Sequence, residues 1–185
     1  MISKESTLPF KIKVVAELPG NRARIFVYSI YSRAFSGHEE RAWHIAWNPA
    51  KPLLASCSAD KSVRLYHYRP STTNTDDSQT VDFSHITTIH TGHTKTVRAI
   101  AWAPSGESLA TASFDANVGI WEQDPPGEEG GGGGEWECAS LLEGHETECK
   151  SVAYSCSGTL LASCSRDKTV WVWEGASYFF ICLQR

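Results

Sequence analysis

A hydroxyl, an imidazole and a carboxylate make a hydrolase triad when the ring draws the hydroxyl proton and the carboxylate orients the ring. This chain carries that set three times. His38, His93 and His145 each stand 22 positions before an aspartate: Asp60, Asp115 and Asp167. Four residues before each aspartate lies a hydroxyl (Ser56, Thr111, Ser163), and six after it an aromatic (Tyr66, Trp121, Trp173). The copies are 55 and 52 residues apart. A catalytic set has no reason to recur at identical offsets beside an aromatic, so a structural role outweighs catalysis. The aspartate can accept from one imidazole N–H, the other ring nitrogen from the hydroxyl, and the hydroxyl from an indole N–H. Leaving one such group buried and unpaired costs about 1–3 kcal/mol, so a closed set would lock its surroundings in register. In the first copy Tyr66 stands where the others have Trp, and a phenol reaches differently from an indole.

The elements that must position these groups are short strands. In the second copy, 97–102 reads as a strand, 103–106 (Ala-Pro-Ser-Gly) as a turn, 108–113 as a second strand and 117–121 as a third. The third copy uses Ser157-Gly158 in its first turn, and the first copy Pro49-Ala50-Lys51-Pro52. The histidine precedes the first strand and the hydroxyl lies in the second. The aspartate sits at the next turn and the aromatic ends the third strand. All four are expected to meet near one edge of a small antiparallel sheet. Outer strands are expected at 86–90 and 136–142, and 177–183 is strand-prone enough to supply one for the third copy.

Gly37-His38, Gly92-His93 and Gly144-His145, with their aspartates and aromatics, resemble the WD40 repeat, whose unit is a four-stranded propeller blade. The match runs over about 37–174. The runs 112–116, 135–138, 142–146 and 162–174 further resemble the WD-repeat (Cia-type) subunits of the cytosolic iron–sulfur protein assembly machinery. The resemblance implies an all-β fold of seven blades, of which this chain holds about three. It implies a non-catalytic scaffold without cofactor, which holds other subunits of a cytosolic targeting complex and the apoprotein clients that receive clusters. The implied location is cytoplasmic and also nuclear. Arg166, just before Asp167, matches a functional surface arginine of that family; its plainer reading is a solvated turn residue. A generic WD40 adaptor, in ubiquitin ligation or chromatin assembly, is the competing reading, because fold alone does not choose between them.

The repeats divide the chain into 37–91, 92–143 and 144–185, after a poorly matched segment 1–36. Within that segment, 10–16 alternates enough to be a ring-closing outer strand. Arg69 to Asp82 and Asp124 to Glu135 are low in complexity and read as loop insertions. Three blades are fewer than the four to eight of known rings, so the sequence reads as the N-terminal part of a larger protein. Such an arc would leave apolar faces open on its first and third blades and would be prone to associate.

Of the chain's charged side chains, 17 are Lys or Arg and 21 Asp or Glu, with a net charge of −4. The cations are scattered, which disfavours a nucleic-acid partner. No apolar run is long enough to span a bilayer, and no small-molecule site is legible. The six cysteines form no C-x₂-C pair, so neither a metal site nor a cluster site is expected. Cys57 and Cys164 share a repeat position with Ala112, three before the aspartate, which marks them as small packed residues. The glycine run from Gly130 lacks the Gly-Lys-Ser/Thr ending of a phosphate loop.

Overall fold

A computed structural model describes residues 8–11, 29–32, 37–71, 80–124, 134–176 and 179–182. All regular structure among them is strand, and no helix there is long and apolar enough to cross a membrane. The chain divides into two units, 1–37 and 38–185. In the first, β1 (Leu8–Lys11) pairs antiparallel with β2 (Ser29–Ser32) as a separate two-stranded sheet. The rest of the alternating run, 12–16, lies outside the described residues.

The second unit holds three four-stranded antiparallel sheets, each a meander in chain order. Blade 1 is β3 (Ala42–Trp47), β4 (Leu53–Ser58), β5 (Ser62–Ser71) and β6 (Thr80–His90). Blade 2 is β7 (Val97–Trp102), β8 (Ser108–Ser113), β9 (Val118–Gln123) and β10 (Trp136–Leu142). Blade 3 is β11 (Cys149–Tyr154), β12 (Leu160–Ser165), β13 (Val170–Ala176) and β14 (Phe179–Cys182). Sequential pairing by short connections needs no crossover, which suits strands this short.

Two departures from the sequence reading concern blade 1 and the first strand of every blade. The polar stretch from Arg69 to Asp82 is not all loop. The ladder continues through Arg69↔Asp82, Pro70↔Val81 and Ser71↔Thr80. A hairpin is held by backbone bonds whatever its side chains, and here Tyr68 and Phe83 anchor its base, both packing with Trp47. The register of β3, β7 and β11 also slips by one residue, leaving Trp43, Arg98 and Lys150 as bulges. A bulge re-aims a side chain out of the pleat.

The core lies between blades. One cluster joins Val63, Leu65 and Ile89 of blade 1 to Val97, Ile100 and Trp102 of blade 2. The next joins Val118, Ile120 and Leu142 of blade 2 to Cys149, Val152 and Leu161 of blade 3. Alternation sends one face of blade 2 into each cluster, so both of its faces are buried. Each fully buried Val, Leu or Ile contributes about 1.5–3 kcal/mol. Polar bonds also cross the first seam. The Trp102 indole donates to the Ala46 carbonyl at 3.1 Å. Asn48 Nδ2 donates to the Gly106 carbonyl at 2.9 Å while Asn48 Oδ1 accepts from the amides of Ala50 and Lys51. Gly106 has φ +74°, and a Cβ there would lie 2.5 Å from Asn48 Oδ1, so the approach requires glycine.

Candidate functional site: three clasps and the edge they shape

In each blade the turn between the second and third strands folds back against the histidine. The turn is tight because the residue after each aspartate takes a left-handed backbone: Lys61 at φ 68°, Ala116 at 79° and Lys168 at 72°. The aspartate itself holds the turn. Asp115 Oδ1 accepts from the Asn117 amide at 3.1 Å, and the Asp115 amide donates to Ser113 Oγ at 3.2 Å. Asp60 and Asp167 repeat both bonds with Ser62 and Ser58, and with Thr169 and Ser165.

The other carboxylate oxygen faces the imidazole. His93 Nδ1 donates to Asp115 Oδ2 at 2.9 Å, so Nε2 is the acceptor and takes the Thr111 hydroxyl at 2.8 Å. The Trp121 indole then donates to Thr111 Oγ1 at 2.9 Å. Blade 3 repeats this: His145 to Asp167 at 2.8 Å, Ser163 to His145 at 2.9 Å, Trp173 to Ser163 at 2.8 Å. In blade 1, His38 meets Asp60 at 2.9 Å and Ser56 at 2.8 Å. Tyr66 there is buried, with its ring edge-on to His85 at 5.7 Å.

The carboxylates carry the strongest electrostatics. Burial alone would raise Asp115, but the bond from His93 and those from the Thr94 and Asn117 amides bring it down to about 2. Asp60 also sits at about 2: burial works against bonds from the Ser62 hydroxyl and amide, His38 and the Glu39 amide. Asp167 is lower still, its burial outweighed by bonds from Thr169, His145 and the Glu146 amide. Both oxygens of each of these carboxylates face fixed donors, which favours the anion.

The arrangement is closed chemically. Thr111 and Ser163 are buried, and each hydroxyl lies between an imidazole and an indole inside the sheet. Burial pushes the Cys57 and Cys149 thiols up to about 12 and keeps them protonated. Cys57 and Ala112, which share a repeat position, are both fully buried, and Cys164 at the same position is half-buried. Among the described residues no group of three His, Cys, Asp or Glu side chains is placed to hold a metal ion.

The clasps also shape an edge of side chains. The residue before each aspartate bonds by its amide to the carbonyl two before the bulge: Ala59 to Arg41, Phe114 to Thr96, Arg166 to Glu148. These turns therefore lie beside the bulged side chains. Arg98 of blade 2 stacks over Trp43 of blade 1 at 4.9 Å, with Arg41 on the same ring at 5.8 Å. Lys150 of blade 3 sits 3.9 Å over Phe114 of blade 2. Lys150 also pairs with Glu148 at 2.6 Å, and Arg166 approaches the same carboxylate at 3.6 Å with its side chain 72% exposed. The Lys150 bond, then the charges of Arg166 and Lys95, keep Glu148 below the usual carboxylate range. A row of cations and aromatics thus crosses both seams and ends at Arg166. Sequence reading picked out Arg166 but missed Trp43, Arg98 and Lys150. Each lies five residues after its histidine, a constant offset that was available as a signal.

Comparison with known proteins agrees with this plan. The model of the WD domain, G-beta repeat, matches residues 15–67, 84–122 and 136–174. A probable cytosolic iron-sulfur protein assembly protein 1 from Mycosarcoma maydis is 51% identical over 163 residues, covering 75% of this chain and 36% of its own. A protein of the same description from Cryptococcus neoformans is 48% identical over 167 residues, covering 74% and 38%. A probable cytosolic Fe-S cluster assembly factor from Schizosaccharomyces japonicus is 42% identical over 146 residues, covering 78% and 21%. The chain therefore spans well under half the length of these curated relatives. Three clasps at one set of offsets, three meander sheets and a repeat match over most of the chain lead to one assignment: this chain belongs to the WD40 repeat family.

Proposed function

We infer that this chain is a non-catalytic docking scaffold serving cytosolic iron–sulfur protein assembly. One observation carries the non-catalytic half: each buried hydroxyl in blades 2 and 3 bonds both its imidazole and its indole, so a nucleophile could be freed only by breaking the clasp. The relatives' names support the cytosolic assembly role. In this reading the partners are other subunits of a cytosolic targeting complex and the apoproteins that receive clusters, met in the cytosol and also in the nucleus. Arg166 is the contact residue, because its guanidinium is exposed at the end of the cation–aromatic row, and arginine is enriched among interface residues that matter.

The test is co-purification from cytosol with tagged protein. Iron–sulfur assembly subunits should be recovered, and Arg166→Ala should recover at least several-fold less at unchanged melting temperature. Undiminished capture by Arg166→Ala would remove that residue from the interface. Recovery of ubiquitin-ligase or chromatin-assembly subunits instead would overturn the reading.

A further inference from the structure

Three positions of the repeat meet beside each clasp, and the blades fill them differently. Counting from the histidine they are the third, the fifth and the twenty-first residue: Arg41, Trp43 and Ala59 in blade 1, Thr96, Arg98 and Phe114 in blade 2, Glu148, Lys150 and Arg166 in blade 3. The amide of the twenty-first bonds the carbonyl of the third, at 3.0 Å for Arg166 on Glu148, so their side chains start from neighbouring backbone. Blade 3 alone places a carboxylate at these positions, and it sets two cations against that one anion.

The two cations do not share it equally. Lys150 Nζ donates to Glu148 Oε2 at 2.6 Å, while the Arg166 guanidinium stays 3.6 Å from the same oxygen. The second distance is beyond a hydrogen bond, so Arg166 feels the carboxylate only as a nearby charge. The ammonium is fixed by a second contact, 3.9 Å over the Phe114 ring of blade 2. Arg166 has no such anchor. Among the described residues its guanidinium makes no hydrogen bond, and its planar fork of donors stays open to an acceptor from outside.

We propose that Lys150 is a positioning residue for Arg166: anchored on Phe114, it occupies the Glu148 carboxylate and so leaves the Arg166 guanidinium open to a partner. This deepens the reading of Arg166 as the contact residue, and rests on it. Blade 2, through Phe114, thereby sets how blade 3 presents its arginine. With the Lys150 charge gone, Glu148 has one near cation left. Arg166, already bonded to Glu148 by its backbone, then folds its guanidinium onto that carboxylate and away from solvent.

Phenylglyoxal, which adds to accessible guanidinium groups, tests this without any partner, with the rate at Arg166 read by peptide mass spectrometry. Lys150→Met should slow the labelling of Arg166 by about three-fold, the scale of one exposed ion pair. Lys150→Arg keeps the charge and should label Arg166 at the wild-type rate. Lys150→Met combined with Glu148→Gln should also return to that rate, because no carboxylate remains to hold the arginine. Should Lys150→Met lose its circular dichroism spectrum, Lys150→Gln removes the same charge with a polar side chain. Undiminished labelling in Lys150→Met overturns the proposal. So does a double variant as slow as the single one, which would mean that Lys150 acts through the fold and not through Glu148. Co-purification is the separate readout, and capture by these variants should follow their labelling. Reduced capture by Arg166→Ala with full capture by Lys150→Met would overturn the positioning role alone. Full capture by Arg166→Ala would instead remove the contact reading, whatever the labelling rates.

Discussion

Trp121 donates its indole N–H to Thr111 Oγ1 across 2.9 Å, entirely inside blade 2. That bond turns a triad-like set into a structural one. A serine-hydrolase hydroxyl must be free to leave its base and attack a substrate; this one is fixed from both sides and shielded from water.

The clasp should therefore be costly to open. Thr111→Val keeps the volume and deletes the hydroxyl, orphaning His93 Nε2 and the Trp121 N–H. At about 1–3 kcal/mol for each stranded group, urea unfolding should show a loss of about 2–4 kcal/mol. Thr111→Ser restores the hydroxyl and should recover most of that. Equal losses from both variants would mean that packing, not hydrogen bonding, sets the effect.

The aspartates make stability depend on acid. Asp60 and Asp115 fall from 3.8 to about 2 on folding. A depressed carboxyl contributes stability that is complete above about pH 4 and is lost as the pH falls from there toward 2. Melting temperature should drop steeply across that window. Asp115→Asn should start lower at pH 5 and fall less, and a variant curve parallel to the wild type would contradict this assignment.

Ala116 pays for its turn with a left-handed backbone at φ 79°. For a residue with a Cβ that conformation costs about 1–2 kcal/mol, part of which a glycine regains and part of which it loses to unfolded-chain entropy. Ala116→Gly should raise the urea midpoint by a small amount, and a lowered midpoint would show that the turn is unstrained.

Thiol chemistry should divide the cysteines by burial. Cys138 and Cys156 are exposed, whereas Cys57 and Cys149 are buried and protonated. Under native conditions N-ethylmaleimide should label the first two within minutes and spare the second two until urea is added, as peptide mass spectrometry would read. Fast native labelling of Cys149 would mean that the seam between blades 2 and 3 opens readily.

Much of this was legible in the sequence, for a physical reason. Period-2 alternation and the Gly, Pro and Ser turns delimit strands locally, so 97–102, 108–113 and 136–142 emerge as strands with those limits. The triple recurrence of one set of offsets exposes the fold, since chance does not repeat a spacing. What stayed hidden depends on partners distant in the chain. The bulges at Trp43, Arg98 and Lys150 are set by cross-strand pairing, which no single strand announces. The extension of β5 and β6 past Arg69 was masked by polar composition, because backbone ladders leave no mark on side-chain type. Arg98 over Trp43 joins two blades across 55 residues, and only the assembled seam shows it.

Asn48 gives the seams an order. It ties its own turn and reaches the Gly106 carbonyl, while the matching positions in the later blades are Ala103 and Ser155. Repeats that look interchangeable by motif are therefore addressed: a shuffled chain with a second copy of blade 2 in first place would keep every clasp and lose the amide that tells blade 2 which neighbour precedes it.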